Sequence, residues 1–212
     1  MSVPVASGLT YDDLWELPQD DGLRRELMDG ELYVSPSPVV RHQRVVAAIA
    51  FALSRAAEQD GGEVLFAPLD VVFGPDTVVE PDVLYLGAET WRARGDERFI
   101  DVVPDLLVEV SSPSTRRLDL IHKRNLYERV GLPEYWFVDL DLEAADLATA
   151  LASSQADPEI AASDTARGVI DVYRLDDSGR FGMPQTLQVG DRLRCTALPT
   201  LDVGVEDVLP GD

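Results

Sequence analysis

The chain has 212 residues, 45% hydrophobic and 27% charged, a balance that suits one globular domain with a sizeable core. A single cysteine, Cys195, excludes a disulfide framework and a cysteine metal cage, and no apolar run approaches the ~20 residues of a membrane span, so a cytoplasmic, membrane-free protein is expected. The net charge of −21 argues against general affinity for nucleic acid, because holding phosphates requires cationic neutralisation.

Residues 1–9 read as a flexible tail, and residues 10–212 as a single domain. Thr10 can cap a short helix through Leu17, with Asp12 and Asp13 in its first turn. Residues 25–28 and 31–34 flank Asp29-Gly30, a strong hairpin signal. Ser37-Pro38 reads as a cap followed by proline at the first helical position, and Val45, Ile49, Ala52, Leu53 and Ala56 form the buried stripe of a helix reaching about Ala57. Short strands are expected at 63–67, 69–73 and 83–86, with a turn at Gly74-Pro75-Asp76. Residues 91–99 read as a loop or irregular helix.

The stretch 106–127 (LLVEVSSPSTRRLDLIHKRNLY) organises the rest. Its apolar, strand-length opening carries one carboxylate, Glu109, and a buried charge needs a cationic partner. The helix that follows is stopped by Gly131 and Pro133. At about 100° per residue it gathers Asp119, Lys123, Leu126, Tyr127 and Val130 on one face. Lys123 is the one lysine among 18 basic residues, which hints at a compact point charge that a planar guanidinium cannot imitate. Arg116, Arg117, Lys123, Arg124 and Arg129 make this helix the one basic island. Residues 134–139 read as another buried strand, parallel to the first through a right-handed crossover. Residues 144–166 read as an acidic, alanine-rich insertion, and the strands after Val169 as an antiparallel extension.

Asp82 opens the apolar run at 83–86, a plausible neighbour of the Glu109 strand. Two carboxylates and a lysine meeting there would form a site for a hard divalent cation and a phosphate. The bland alternatives are that Asp82 caps a strand end, that Glu109 pairs with Arg116, and that Lys123 forms an ordinary helical pair with Asp119.

VEPDVLYL and LLVEVSSPSTRRLDLIHKRNLYERVGLPEYWFVD, with RELMDGELYVSPSPVVRHQ upstream and VIDVYRLDDSGRF downstream, resemble the Uma-type family of restriction-endonuclease-like proteins in the PD-(D/E)XK nuclease superfamily. The resemblance implies an α/β fold with a mixed β-sheet flanked by helices and a C-terminal antiparallel β extension. It implies an endonuclease dependent on Mg²⁺ (or Mn²⁺) that acts on nucleic acid, above all DNA, as a homodimer. By the same resemblance Asp82, Glu109 and the backbone carbonyl of Val110 hold metal, and Lys123 assists the nucleophile or the transition state. The superfamily's lysine two residues after the acid is Ser111 here, and Lys123 looks like its migrated substitute. Glu26 and His42 match further family positions, and Arg116, Arg117 and Arg124 are candidates for holding phosphate. The competing expectation is a catalytically silent module of the same fold that binds nucleic acid or protein, which the acidic surface favours.

Overall fold

The computed structural model describes residues 4–18, 22–95, 98–111, 116, 118–140 and 168–209. The insertion expected at 144–166 lies outside them.

Thr10 opens α1 (Tyr11–Trp15), its own N–H and hydroxyl both donating to the Asp13 carboxylate, each at 2.7 Å. The stretch before it, read as a loose tail, is tied down: Val5 N–H donates to Leu32 O and Leu9 N–H to Gly30 O. The hairpin forms where Asp29-Gly30 requires it. β1 (Leu23–Met28) and β2 (Glu31–Pro36) pair in register, and both turn residues have positive φ, 52° and 76°. The expected Ser37 cap does not form. α2 (Val40–Ala57) has Val39 at its N-cap, and the Ser37 hydroxyl instead donates to Gly22 O at 2.7 Å, stitching the helix entry to the start of β1.

β3 (Glu63–Phe66), β4 (Val71–Gly74), β5 (Thr77–Val79) and β6 (Val83–Leu86) follow. β5 was not anticipated. It hairpins with β4 and also pairs with β1 through Leu27 and Val78, making a four-stranded sheet ordered β2-β1-β5-β4. Residues 88–93 form α3 (Ala88–Ala93). The second sheet is built on β7 (Leu106–Val110) and β8 (Glu134–Asp139), which run parallel as expected of the crossover. With β9 (Val169–Arg174) and β10 (Gln185–Leu187) its order is β10-β9-β8-β7-β6-β3. β11 (Arg192–Leu193), β12 (Val203–Gly204) and α5 (Val205–Val208) close the chain.

Every residue of β6, β7 and β8 is buried, so both faces of this sheet are covered. Val45, Ile49 and Leu53 of α2 pack with Val83, Val108, Trp136 and Val138 on one side. Leu84, Leu107, Tyr135 and Phe137 meet Leu118, Leu126 and Tyr127 on the other. Strand alternation therefore sends Glu109 to the same side as Leu107, toward the crossover helix.

Candidate active site

The crossover segment begins as a π-helical turn, Leu118–Lys123, and continues as α4 (Arg124–Arg129). Wide π turns recur at functional sites because the extra residue re-aims the side chains around it. Here Asp119, Lys123 and Tyr127 are all buried over β7. Lys123 Nζ lies 2.7 Å from Glu26 Oε1, 2.9 Å from Glu109 Oε1 and 3.6 Å from Asp119 Oδ1. The helical pair with Asp119, the bland expectation for this lysine, is the longest of the three. Tyr127 OH donates to the same Glu109 oxygen at 2.6 Å. Glu26 also accepts the Glu80 N–H at 2.9 Å, which joins the hairpin to the entry of β6.

Asp82 sits one residue ahead of β6, beside the end of β7. Its Oδ2 accepts the Val110 N–H at 2.8 Å and faces His42 Nε2 at 3.2 Å. Its Oδ1 accepts from Arg24 Nη2 at 2.9 Å. Arg24 is held in turn by Glu80, through Nε–Oε1 at 3.1 Å and a short contact to the Glu80 carbonyl. A carboxylate this buried would ordinarily resist ionisation. The Arg24 guanidinium, His42 and the Val110 N–H more than offset burial and hold Asp82 well below the usual carboxylate range.

Glu109 goes the other way. Burial first, with Lys123 opposing it and the charges of Asp119, Asp82 and Glu26 adding to it, pushes its carboxyl up to about 8. Burial disfavours the Lys123 ammonium, but Glu109, Glu26 and Asp119 together outweigh this and raise its pKa. Lys123 is therefore a fixed cation at neutral pH. It cannot take a proton from water, although it can hold carboxylates and offset developing negative charge.

The linkage has a definite sign. Folded Glu109 keeps a proton that the unfolded chain releases above about 4.5, so stability falls as pH rises from about 4.5 through 8. Glu109→Gln should remove this slope in cation-free buffer. Urea unfolding should show the variant gaining at least about 1 kcal/mol on the wild type between pH 5 and pH 8. Equal slopes would place the Glu109 pKa near its ordinary value.

The structure thus brings Asp82, Glu109, Lys123, Glu26 and His42 into one buried network. Val110 enters it through its N–H. Arg116 does not join: it is exposed, with Nε 2.7 Å from Asp139 Oδ2. Arg124 lies over the Tyr173 ring at 5.1 Å and donates to Phe181 O. Arg117 lies outside the described residues. Arg129 pairs with Asp29 at 2.6 Å. Among the described residues of the basic island, Arg116, Lys123 and Arg129 are each matched to carboxylates and Arg124 is held against Tyr173 and Phe181. Sequence reasoning missed Arg24, Glu80 and the role of Tyr127. Only Tyr127 carried a signal, sharing the Lys123 face at a spacing of one helical turn.

Asp82, His42, Glu80, Arg24 and Val110 line a cleft of about 720 Å³ that is open to solvent between the hairpin and the start of α2. Exposed Trp15, Leu23 and Val39 stand along its rim. The donor chemistry of the network is carboxylate oxygen, which suits a hard divalent cation and not a thiolate metal; Cys195 is buried in the core on the α2 side of the sheet. Among the described residues no three His, Cys, Asp or Glu side chains form a ready-made metal cluster. A cation that takes one or two carboxylates and completes its shell with water fits such a site, and Mg²⁺ is of that kind.

The fold and the buried acid-and-lysine network define a restriction-endonuclease-like α/β protein. A crystal structure described as "a putative nuclease belonging to DUF820 from Anabaena variabilis ATCC 29413" superposes with a TM-score of 0.68 over 95% of this chain and 97% of that one, at 16% identity. The Uma2 family, described as "Putative restriction endonuclease", matches residues 11–206, and the chain belongs to that family. No match was found among curated proteins.

Proposed function

We propose that the chain is a divalent-cation-dependent endonuclease that hydrolyses phosphodiester bonds, most directly in DNA. The observation that carries this reading is Asp82, one residue ahead of β6 and lining an open cleft, joined through Arg24, Glu80 and Glu26 to the buried pair of Glu109 on β7 and Lys123 on the crossover helix. Asp82 and Glu109 would hold Mg²⁺ or Mn²⁺, with the Val110 carbonyl as a further ligand. When bound, such a cation acidifies its water and offsets charge on the phosphoryl oxygens. Lys123, protonated and immobile, fixes Glu109 and Glu26 and stabilises negative charge as it develops. Glu26 keeps the ammonium in place from the opposite sheet, and His42 orients Asp82 through Nε2. The same reading places the protein in the cytoplasm as a homodimer. Among the described residues no helix is long and apolar enough to cross a membrane, and the large apolar side chains of Phe51 on α2 and Phe66 on β3 are exposed.

Purified protein with Mn²⁺ or Mg²⁺ should nick supercoiled DNA, and a chelator should stop it. Full cleavage in chelator would reject the cation dependence. The net charge of −21 favours a second reading, a silent module of this fold that binds a partner without cleaving. Calorimetry separates the two: the nuclease takes up Mn²⁺ near neutral pH, and the silent module does not.

A further inference from the structure

Two permanent cations neutralise the carboxylates of this site, and they are held very differently. Lys123 is 1% exposed and surrounded by Glu26, Glu109 and Asp119. The Arg24 side chain is 19% exposed, lines the cleft, and touches Asp82 with only one arm of its fork. The same Nη2 also reaches the Glu80 carbonyl, and the separate Nε contact to the Glu80 carboxylate does not involve Asp82.

The lone pairs of Asp82 show what this means for a cation. An ionised carboxylate offers about four acceptor sites. Oδ2 uses two, on the Val110 N–H and His42 Nε2. Oδ1 uses one, on Arg24 Nη2 at 2.9 Å. The remaining site is on Oδ1 itself, so a divalent cation arriving there would share one oxygen with a guanidinium. Arginine cannot relieve the repulsion by deprotonating. It has to move, and the Nε contact to the Glu80 carboxylate is the one that does not depend on Oδ1.

We propose that Arg24 is a displaceable counter-ion: it neutralises Asp82 in the cation-free protein and must be pushed off Oδ1 for a divalent cation to bind, so that Arg24 sets the cation affinity of the site. This rests on the reading of Asp82 and Glu109 as cation ligands. It also accounts for an arginine placed among acids that a cation needs. Without it, Glu26, Glu80, Asp82, Glu109 and Asp119 would face one another across the folded apo site with Lys123 as the other fixed positive charge. A guanidinium purely structural in role would support the fold without opposing the metal.

The test is isothermal titration of Mn²⁺ into the full chain at constant ionic strength, comparing wild type with Arg24→Met, and with a thermal melt of each apoprotein alongside. Arg24→Met should bind Mn²⁺ about tenfold more tightly while its apo form melts lower, the opposite signs expected of a displaced competitor. Unchanged or weaker Mn²⁺ binding in the variant, with the wild type binding normally, overturns the proposal and leaves the metal site standing. No binding in either protein overturns the metal reading itself. Should Arg24→Met fail to fold, Arg24→Gln keeps an N–H donor for Asp82 without the charge, and the same tightening or its absence decides.

Discussion

Lys123→Met should destabilise the protein by about 3–5 kcal/mol and lower its melting temperature by about 10 °C, measured by urea and thermal unfolding of the cation-free chain at pH 8. Methionine nearly matches the lysine stem in volume, so the packing of Leu126 and Tyr127 around it changes little. What is lost is the positive charge facing Glu26 at 2.7 Å and Glu109 at 2.9 Å. Replacing an entire buried ion cluster with apolar groups is often harmless, but removing one member leaves the rest buried and uncompensated. The remaining acids can recover part of the loss by taking up protons, so the deficit should shrink at pH 5. A deficit independent of pH would mean that the carboxylates around Lys123 are already neutral in the wild type. Lys123→Arg should not rescue: a planar fork cannot occupy a cage shaped around one ammonium with carboxylates on three elements. This gives a physical reason for a lone lysine in a chain that otherwise uses arginine.

How much of this was legible in the sequence depends on how local each determinant is. Asp29-Gly30 specifies its hairpin through its own φ angles, and the apolar runs of β7 and β8 could only be buried strands. Glu109 could be flagged because a charge in such a run demands a partner, and the helical phase of Asp119, Lys123 and Tyr127 indicated where that partner lay. β5 was hidden because three residues between a turn and Glu80-Pro81 carry too little periodicity, and its pairing with β1 spans some fifty residues. The same long-range pairing conceals which buried acids the hairpin meets. Nothing separates Arg24 from Arg25 in sequence, yet strand geometry sends Arg24 to Glu80 and Asp82. Glu26, taken only from family likeness, reaches Lys123 for the same reason: β1 lies beside β5, which leads directly into Glu80 and Asp82. The phosphate-binding roles expected of Arg116 and Arg124 rested on composition. Composition cannot show that Asp139 and Tyr173 engage them.

Asp82→Ala should reduce nicking by about a thousandfold or more and abolish Mn²⁺ uptake, while lowering stability by only about 1–3 kcal/mol. The disparity follows from position. Asp82 faces the cleft, so water can enter and solvate the Val110 N–H, His42 and Arg24 once their acceptor is gone. Lys123, buried and absent from the cleft lining, has no such relief. Activity and stability should therefore come apart at these two residues, with Asp82 governing chemistry at little cost to the fold and Lys123 governing both. Parallel measurement of nicking, calorimetry and melting on the two variants distinguishes this from a general loss of structure. If Asp82→Ala still nicks within about tenfold of the wild type, Asp82 is not a ligand of the reacting site and its place among Arg24, His42 and Val110 is architectural.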